Sequence, residues 1–314
     1  TRSGKIDLPG FLLFACGSGT LITAFMQARE WGWTSPMTLL LFLIASLCAV
    51  FLIQRERNTA HPFLDLTLFK HPSYTAIALS VSIIQFILMI TVFRAIYFQT
   101  VLDYTPTQTG LLTFISCLPV LFCSPIGGIL ADRASPKLPI AIGFVCLIYS
   151  FFWLAIFSTP TLMSLLMALI AFGIGIPLIF TPSYSSAMSV IPPQKMGVGF
   201  GMLATLRNFC ATMGVASIGL LIDSVQAHQF LAEADQTPGL QNLPTEQLLK
   251  YAEGIMATPE GAAQTLYRSA QIDAFSISHY TLGFLLIAAF AIIFILYRRK
   301  PSHPPTTSFA EGWD

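Results

Sequence analysis

Two arginines, Arg94 and Arg207, stand inside long runs of otherwise uncharged residues. Arg207 lies ten residues into the apolar stretch that opens at Gly197, which at 1.5 Å of rise per residue puts it about 15 Å from that end, close to a bilayer midplane. Charge at that depth is expensive, so such a residue faces a cavity or a partner rather than lipid. No acid occupies the interior of any of these runs. Compensation therefore falls to a segment beyond this chain, an anionic group, carbonyl dipoles or water. The plain alternative is a guanidinium that hydrogen-bonds carbonyls and staples helices together. Arg94 stands about 12 Å inside the far end of its run, near enough to snorkel part of the way or to pair structurally. Tyr97 shares its helical face at i,i+3, whereas Gln85, nine residues back, falls about 180° around the helix. Arg207, Arg94, Tyr97 and Gln85 are the candidates for a substrate cavity or for charge coupling.

Other chemistry is thinly represented. The chain has no HExxH, GxSxG or P-loop pattern and no pair of carboxylates within a span, so an enzyme is not expected and no cofactor is implied. His61 and His71 are ten residues apart with Asp65 between them, poor spacing for a metal, and they read as a solvated loop. The six cysteines sit in apolar runs without CxxC spacing, as expected of small buried apolar residues rather than a disulfide or metal framework.

The elements that must hold these residues follow from composition. Of 314 residues, 54% are hydrophobic and 10% charged, against roughly 25% charged in a soluble domain. With a net charge of +1 there is no basic field for nucleic acid. Uncharged runs at 8–28, 31–54, 104–131, 138–194 and 274–297 each meet the ~20 residues a bilayer crossing needs. Divided at turn signals such as Ser158-Thr159-Pro160, the chain holds eight spans, at about 8–28, 36–54, 74–102, 108–131, 138–157, 161–183, 197–222 and 276–297. The fold class is all-α, a polytopic membrane protein of eight transmembrane helices.

Lys and Arg fall eleven to three on the two sides of these spans, which places both termini of the chain in the cytoplasm. The chain opens without Met and is expected to begin partway through a longer polypeptide. The outer connection at 223–274 carries seven acids and two bases. Within it, Pro244-Thr245-Glu246 and Thr258-Pro259-Glu260 have the form of helix starts. It is either an external helical cap, with a surface for a periplasmic adaptor, or a solvated spacer. Glycine and proline crowd the spans: Pro119 and Pro125; Gly173, Gly175, Pro177 and Pro182; Gly197, Gly199, Gly201, Gly214 and Gly219. Such residues allow close approach and bending, in moving transporters and static bundles alike.

Gly128-Ile129-Leu130-Ala131-Asp132-Arg133-Ala134-Ser135-Pro136-Lys137 resembles the G-x-L-A-D-R-x-G-R-K loop of the major facilitator superfamily, with Ser135 and Pro136 in place of the usual Gly and basic residue. In that role Asp132 accepts from a helix N-terminus or an Arg while Arg133 and Lys137 hold the inner surface, a latch that favours one transporter state. Gly128, Asp132, Arg133 and Lys137 are the gating candidates. Asp7-x-x-Gly10, Gly32-Trp33, Pro62-Phe63-Leu64-Asp65-Leu66-Thr67-Leu68-Phe69, and Gly197-x-Gly199-x-Gly201 followed by Arg207 and Gly214 further resemble the fourteen-helix drug/proton antiporters of the superfamily. The resemblance implies that residues 1–70 carry two linker helices and that 71–314 form the C-terminal six-helix half. A missing N-terminal half would bear the coupling carboxylates. It also implies an inner-membrane exporter of lipophilic compounds in exchange for protons. The rivals are an anion or siderophore exporter of the same superfamily, for which two intramembrane arginines are natural ligands, and a non-transporting membrane scaffold or receptor.

Overall fold

A computed structural model of the chain describes residues 7–59, 66–133, 135–234, 243–252 and 261–297, with Thr237 and Leu240 between them. The described residues contain helices and no strand. In order they are α1 (Leu8–Trp31), α2 (Pro36–Asn58), α3 (Pro72–Leu88), α4 (Ile90–Thr100), α5 (Pro106–Arg133), α6 (Lys137–Ile156), α7 (Leu162–Val190), α8 (Met196–Ala234), α9 (Thr245–Ala252) and α10 (Ala262–Tyr297). With α3 and α4 forming one span, eight are long and apolar enough to cross a membrane. The chain is a multi-pass α-helical membrane protein.

The helix starts are written in the sequence. Proline occupies the first turn of α1, α2 and α3, where its missing N–H costs nothing. Thr105 and Gln108 form a reciprocal capping box before α5, the Thr105 N–H donating to Gln108 Oε1 at 2.9 Å and the Gln108 N–H to Thr105 Oγ1 at 3.3 Å. Asp7 caps α1 by accepting the Gly10 N–H at 3.1 Å, and Arg55 at the end of α2 donates to it from Nη2 at 2.8 Å. That bonding holds the Asp7 carboxyl below the usual carboxylate range, against the opposing effect of burial. A Cβ on Gly10 would lie 2.5 Å from Asp7 Oδ2 and 3.3 Å from Glu56 Oε1. The Asp7-x-x-Gly10 pattern is therefore a carboxylate and the vacancy that admits it. At the other end of this hairpin Gly32 takes φ +89°, and Trp33 stacks on Phe42 at 6.5 Å.

α1 and α2 pair with each other, and α1 also touches α8. The remaining spans form a bundle in which α7 lies between α5 and α6 while α10 packs on α3, α6 and α8. Glycines set the closest crossings. A Cβ on Gly173 would lie 2.0 Å from the Ser116 carbonyl oxygen, one on Gly175 2.8 Å from the Gly143 oxygen, and one on Gly214 2.5 Å from the Phe86 oxygen. Gly197 and Gly201 face open space.

Three features depart from the sequence reading. The third span is interrupted at Met89, whose N–H turns back to Phe86 O at 3.3 Å, while Val92 N bonds Met89 O at 3.2 Å. This tight turn has neither Gly nor Pro and sits just beyond the Gly214–Phe86 crossing. α8 and α10 run well past the apolar limits at 222 and 276, to Ala234 and back to Ala262. Together with α9 they enclose an apolar cluster that includes Phe230, Leu240, Leu248 and Leu266. The described residues of the 223–274 connection thus form a helical cap with its own core rather than a solvated spacer. Its expected start at Thr245 is the start of α9; Thr258–Glu260 lies outside the described residues. Finally, all six cysteines are free, but Cys16 and Cys117 are exposed rather than buried, because a thiol facing hydrocarbon leaves no polar demand unmet.

Candidate functional site

Arg94 is 3% exposed and does not snorkel. The turn at Met89 precedes it by about one helical turn, and α4 directs it into the bundle interior. There its guanidinium carbon lies 4.6 Å from the Phe172 ring centroid of α7 and 5.6 Å from that of Phe151 of α6. Aromatic faces offer partial negative charge to a desolvated cation. Nη2 reaches His279 Nε2 of α10 at 3.4 Å. The opposite ring nitrogen of His279, Nδ1, is 2.8 Å from the Phe275 carbonyl oxygen, which can only accept. Nδ1 therefore carries the proton, Nε2 keeps its lone pair, and a neutral His279 accepts from Arg94. His279 is fully buried. No carboxylate among the described residues pairs with Arg94, and its Nε is buried without an acceptor.

Tyr97, one turn on, stacks on Phe275 with centroids 3.7 Å apart and donates its hydroxyl to Ser158 O at 2.7 Å. Arg94 and Tyr97 thus share a face, as their spacing indicates, and both meet α10. His279 is the residue that sequence reasoning missed. The signal available for it was a lone histidine inside the uncharged run 274–297.

Arg207 belongs to a different level of the bundle. Tyr74 Oη donates to Gly199 O at 3.1 Å, and Phe86 backs onto Gly214, so α3 and α8 run parallel. By helical rise Arg207 lies about 10 Å below the Phe86–Gly214 crossing and Arg94 about 12 Å above it. The two cations are separate features rather than one constellation. Arg207 is half-buried, and its Nε is buried with no hydrogen-bond partner among the described residues. Gln85 on α3 is likewise half-buried.

Around the α5–α6 connection, Gly128 lies on α5 beside Thr181 of α7, Asp132 and Arg133 end α5 exposed, and Lys137 begins α6 half-buried. Among the described residues Asp132 makes no hydrogen bond or ion pair. Of the Pro62–Phe69 segment, Pro62–Asp65 and His61 lie outside the described residues, and Leu66–Phe69 begin a short 3₁₀ turn before α3.

A larger cleft, about 220 Å³, opens between α4, α8 and α10, lined by Phe93, Tyr97, Asp223, Gln226, Tyr267 and Gln271 among others. Beside it Arg268 on the α10 extension pairs with Asp103 in the α4–α5 loop. Asp103 holds φ +56° there, a backbone region that Asp tolerates better than most residues.

Residues 10–215 match the model of the major facilitator superfamily. The multidrug resistance protein Stp of Mycobacterium tuberculosis is 33% identical over 232 residues, which span 70% of this chain and 41% of that protein. The lincomycin resistance protein LmrB of Listeria monocytogenes is 23% identical over 266 residues, 81% of this chain and 56% of that protein. The chain thus spans about half the length of the curated relatives it matches. A crystal structure of a bacterial homologue of the human lysosomal transporter Spinster, inward-facing and occupied, shares the fold: TM-score 0.54 and 13% identity, over 93% of this chain and 69% of that one.

Proposed function

The chain belongs to the major facilitator superfamily, and on that footing we propose that it is the C-terminal portion of a proton-coupled multidrug exporter of the inner membrane. Residues 1–70, with α1 and α2, serve as the linker pair. Residues 71–314 form one six-helix half. The other half, upstream, supplies the coupling carboxylates, and the substrate cavity lies between the halves, opened to each side in turn. Drug-resistance proteins among its relatives support export of lipophilic small molecules. The observation that carries the reading is Arg207. A cation at mid-depth, half-buried and without a partner among the described residues, is suited to a counter-charge arriving across the interface between halves. Gln85 accompanies it as a cavity candidate, while Asp132, Arg133 and Lys137 await partners on the same opposite half.

Two experiments test this reading. Reconstituted alone in liposomes under a pH gradient, the 314-residue chain is expected to move no dye; joined to its upstream helices it is expected to do so. Robust proton-driven flux from the chain alone would refute the division into halves, and silence from the joined protein would refute export. The orientation, with both termini of this chain cytoplasmic, rests on the Lys/Arg bias. Cysteine at Gln264, exposed on the α10 extension, is expected to react with an impermeant maleimide outside intact cells, whereas cysteine at Ser135 is not. The opposite labelling pattern overturns the topology.

A further inference from the structure

The guanidinium of Arg94 is enclosed by groups that cannot neutralise it. Among the described residues its neighbours are two phenyl faces and the lone pair of a neutral histidine, and its Nε has no acceptor. A buried cation without a negative partner is strongly disfavoured. Beside it, however, lies a small crevice between α4, α5 and α7, lined by Arg94, Thr91, Thr113, Ser116, Phe98 and Leu169 among others, with about 20 Å³ of space. That is room enough for a small occupant of about water size. Three hydroxyls line it. In the structure each donates to a carbonyl of its own helix, Thr91 to Leu88 O at 2.8 Å, Thr113 to Thr109 O at 2.9 Å and Ser116 to Thr113 O at 2.6 Å. Hydroxyl protons rotate, and the Thr109 and Thr113 carbonyls lie inside the helical run of α5. The hydroxyls can therefore turn toward a stronger acceptor in the crevice.

We propose that this crevice is a binding site for one small monovalent anion of halide size, held by the Arg94 guanidinium and the hydroxyls of Thr91, Thr113 and Ser116. A neutral water would fit the space but would leave the charge uncompensated. The site runs from the buried Arg94 to the exposed Thr113, away from the Arg207 level, and the assignment does not depend on which compound the protein carries. Its occupant is a fixed counter-ion that ties α4 to α5, a pair with few other contacts.

The test uses the purified protein in detergent at constant ionic strength, with chloride or bromide titrated against gluconate, a much bulkier anion. A saturable rise in Tm with either halide is expected, because a ligand that binds only the folded state stabilises it by mass action. Arg94→Gln removes the charge, and the Thr91→Val/Ser116→Ala pair removes two hydroxyls while leaving the cation in place. Both are expected to raise the half-saturating halide concentration by about tenfold or more, the scale of losing charge-assisted hydrogen bonds. Crystals grown in bromide are expected to show an anomalous peak against the Arg94 guanidinium. Equal Tm in halide and gluconate, or a halide effect unchanged in both variants, would overturn the proposal and leave the space to water. The double variant keeps the test decisive should Arg94→Gln fail to fold.

Discussion

Replacing Arg207 with Leu in the full-length protein is expected to abolish proton-coupled efflux per folded molecule, and Arg207→Lys to retain part of it. Removing a mid-depth cation leaves any partner acid on the opposite half buried and unpaired, a cost on the order of 3–5 kcal/mol for a buried pair. That acid then holds its proton, because the favourable positive charge that lowered its affinity for one is gone. A carrier whose acid no longer releases its proton cannot exchange it for substrate. Lysine restores the charge without the planar fork, so activity falls without vanishing. The rival account makes Arg207 a helix staple bonded to carbonyls, yet no such bond joins it to any described residue. Under that account both variants lose monodisperse yield and efflux together, while the surviving folded molecules transport normally. Efflux per folded molecule, scored against yield after detergent extraction, separates the two. Normal efflux per folded Arg207→Leu protein would assign this residue a structural role.

The eight spans are legible in the sequence because length and hydropathy are local properties and a bilayer fixes the length required. What hydropathy marks is the apolar segment, not the helix. α8 therefore continues twelve residues past the expected limit at 222, through Phe230 to Ala234, on the strength of packing against α9 and α10 rather than against lipid. The Met89 interruption was invisible because no residue there breaks helices; it coincides with the Gly214 contact on Phe86, whose source is a residue more than a hundred positions away. Arg94 shows the limit for the site. Its position along the span sets its depth, but whether a long side chain turns to the surface or the interior depends on what the facing helices offer. Phe151, Phe172 and His279 come from three of them. Asp7-x-x-Gly10 is readable as a pattern, whereas its partner Arg55, 48 residues on, is brought to it only by the pairing of α1 with α2.

The glycines divide in a way their spacing does not reveal, and this yields the largest expected loss of stability. Gly173→Ala is expected to destabilise the bundle severely, while Gly201→Ala is expected to be neutral or mildly stabilising. At Gly173 the added methyl would sit 2.0 Å from the Ser116 carbonyl oxygen and 3.1 Å from Pro119. The obstacle is backbone, so no side-chain rotation relieves it and α5 must move away from α7. Overpacking of this kind costs about 1–3 kcal/mol where neighbours can yield, and more where they cannot. At Gly201 no described residue lies within 4 Å, and the exchange gains about 1 kcal/mol of helix propensity. The residue facing Gly173 also lends the Arg94 crevice its Ser116 hydroxyl, so separating α5 from α7 is expected to weaken halide stabilisation as well. The measurement is Tm and monodisperse yield of the two variants side by side in chloride and in gluconate. Equal stability of Gly173→Ala and Gly201→Ala would show that the α5–α7 crossing is not closed by the missing side chain.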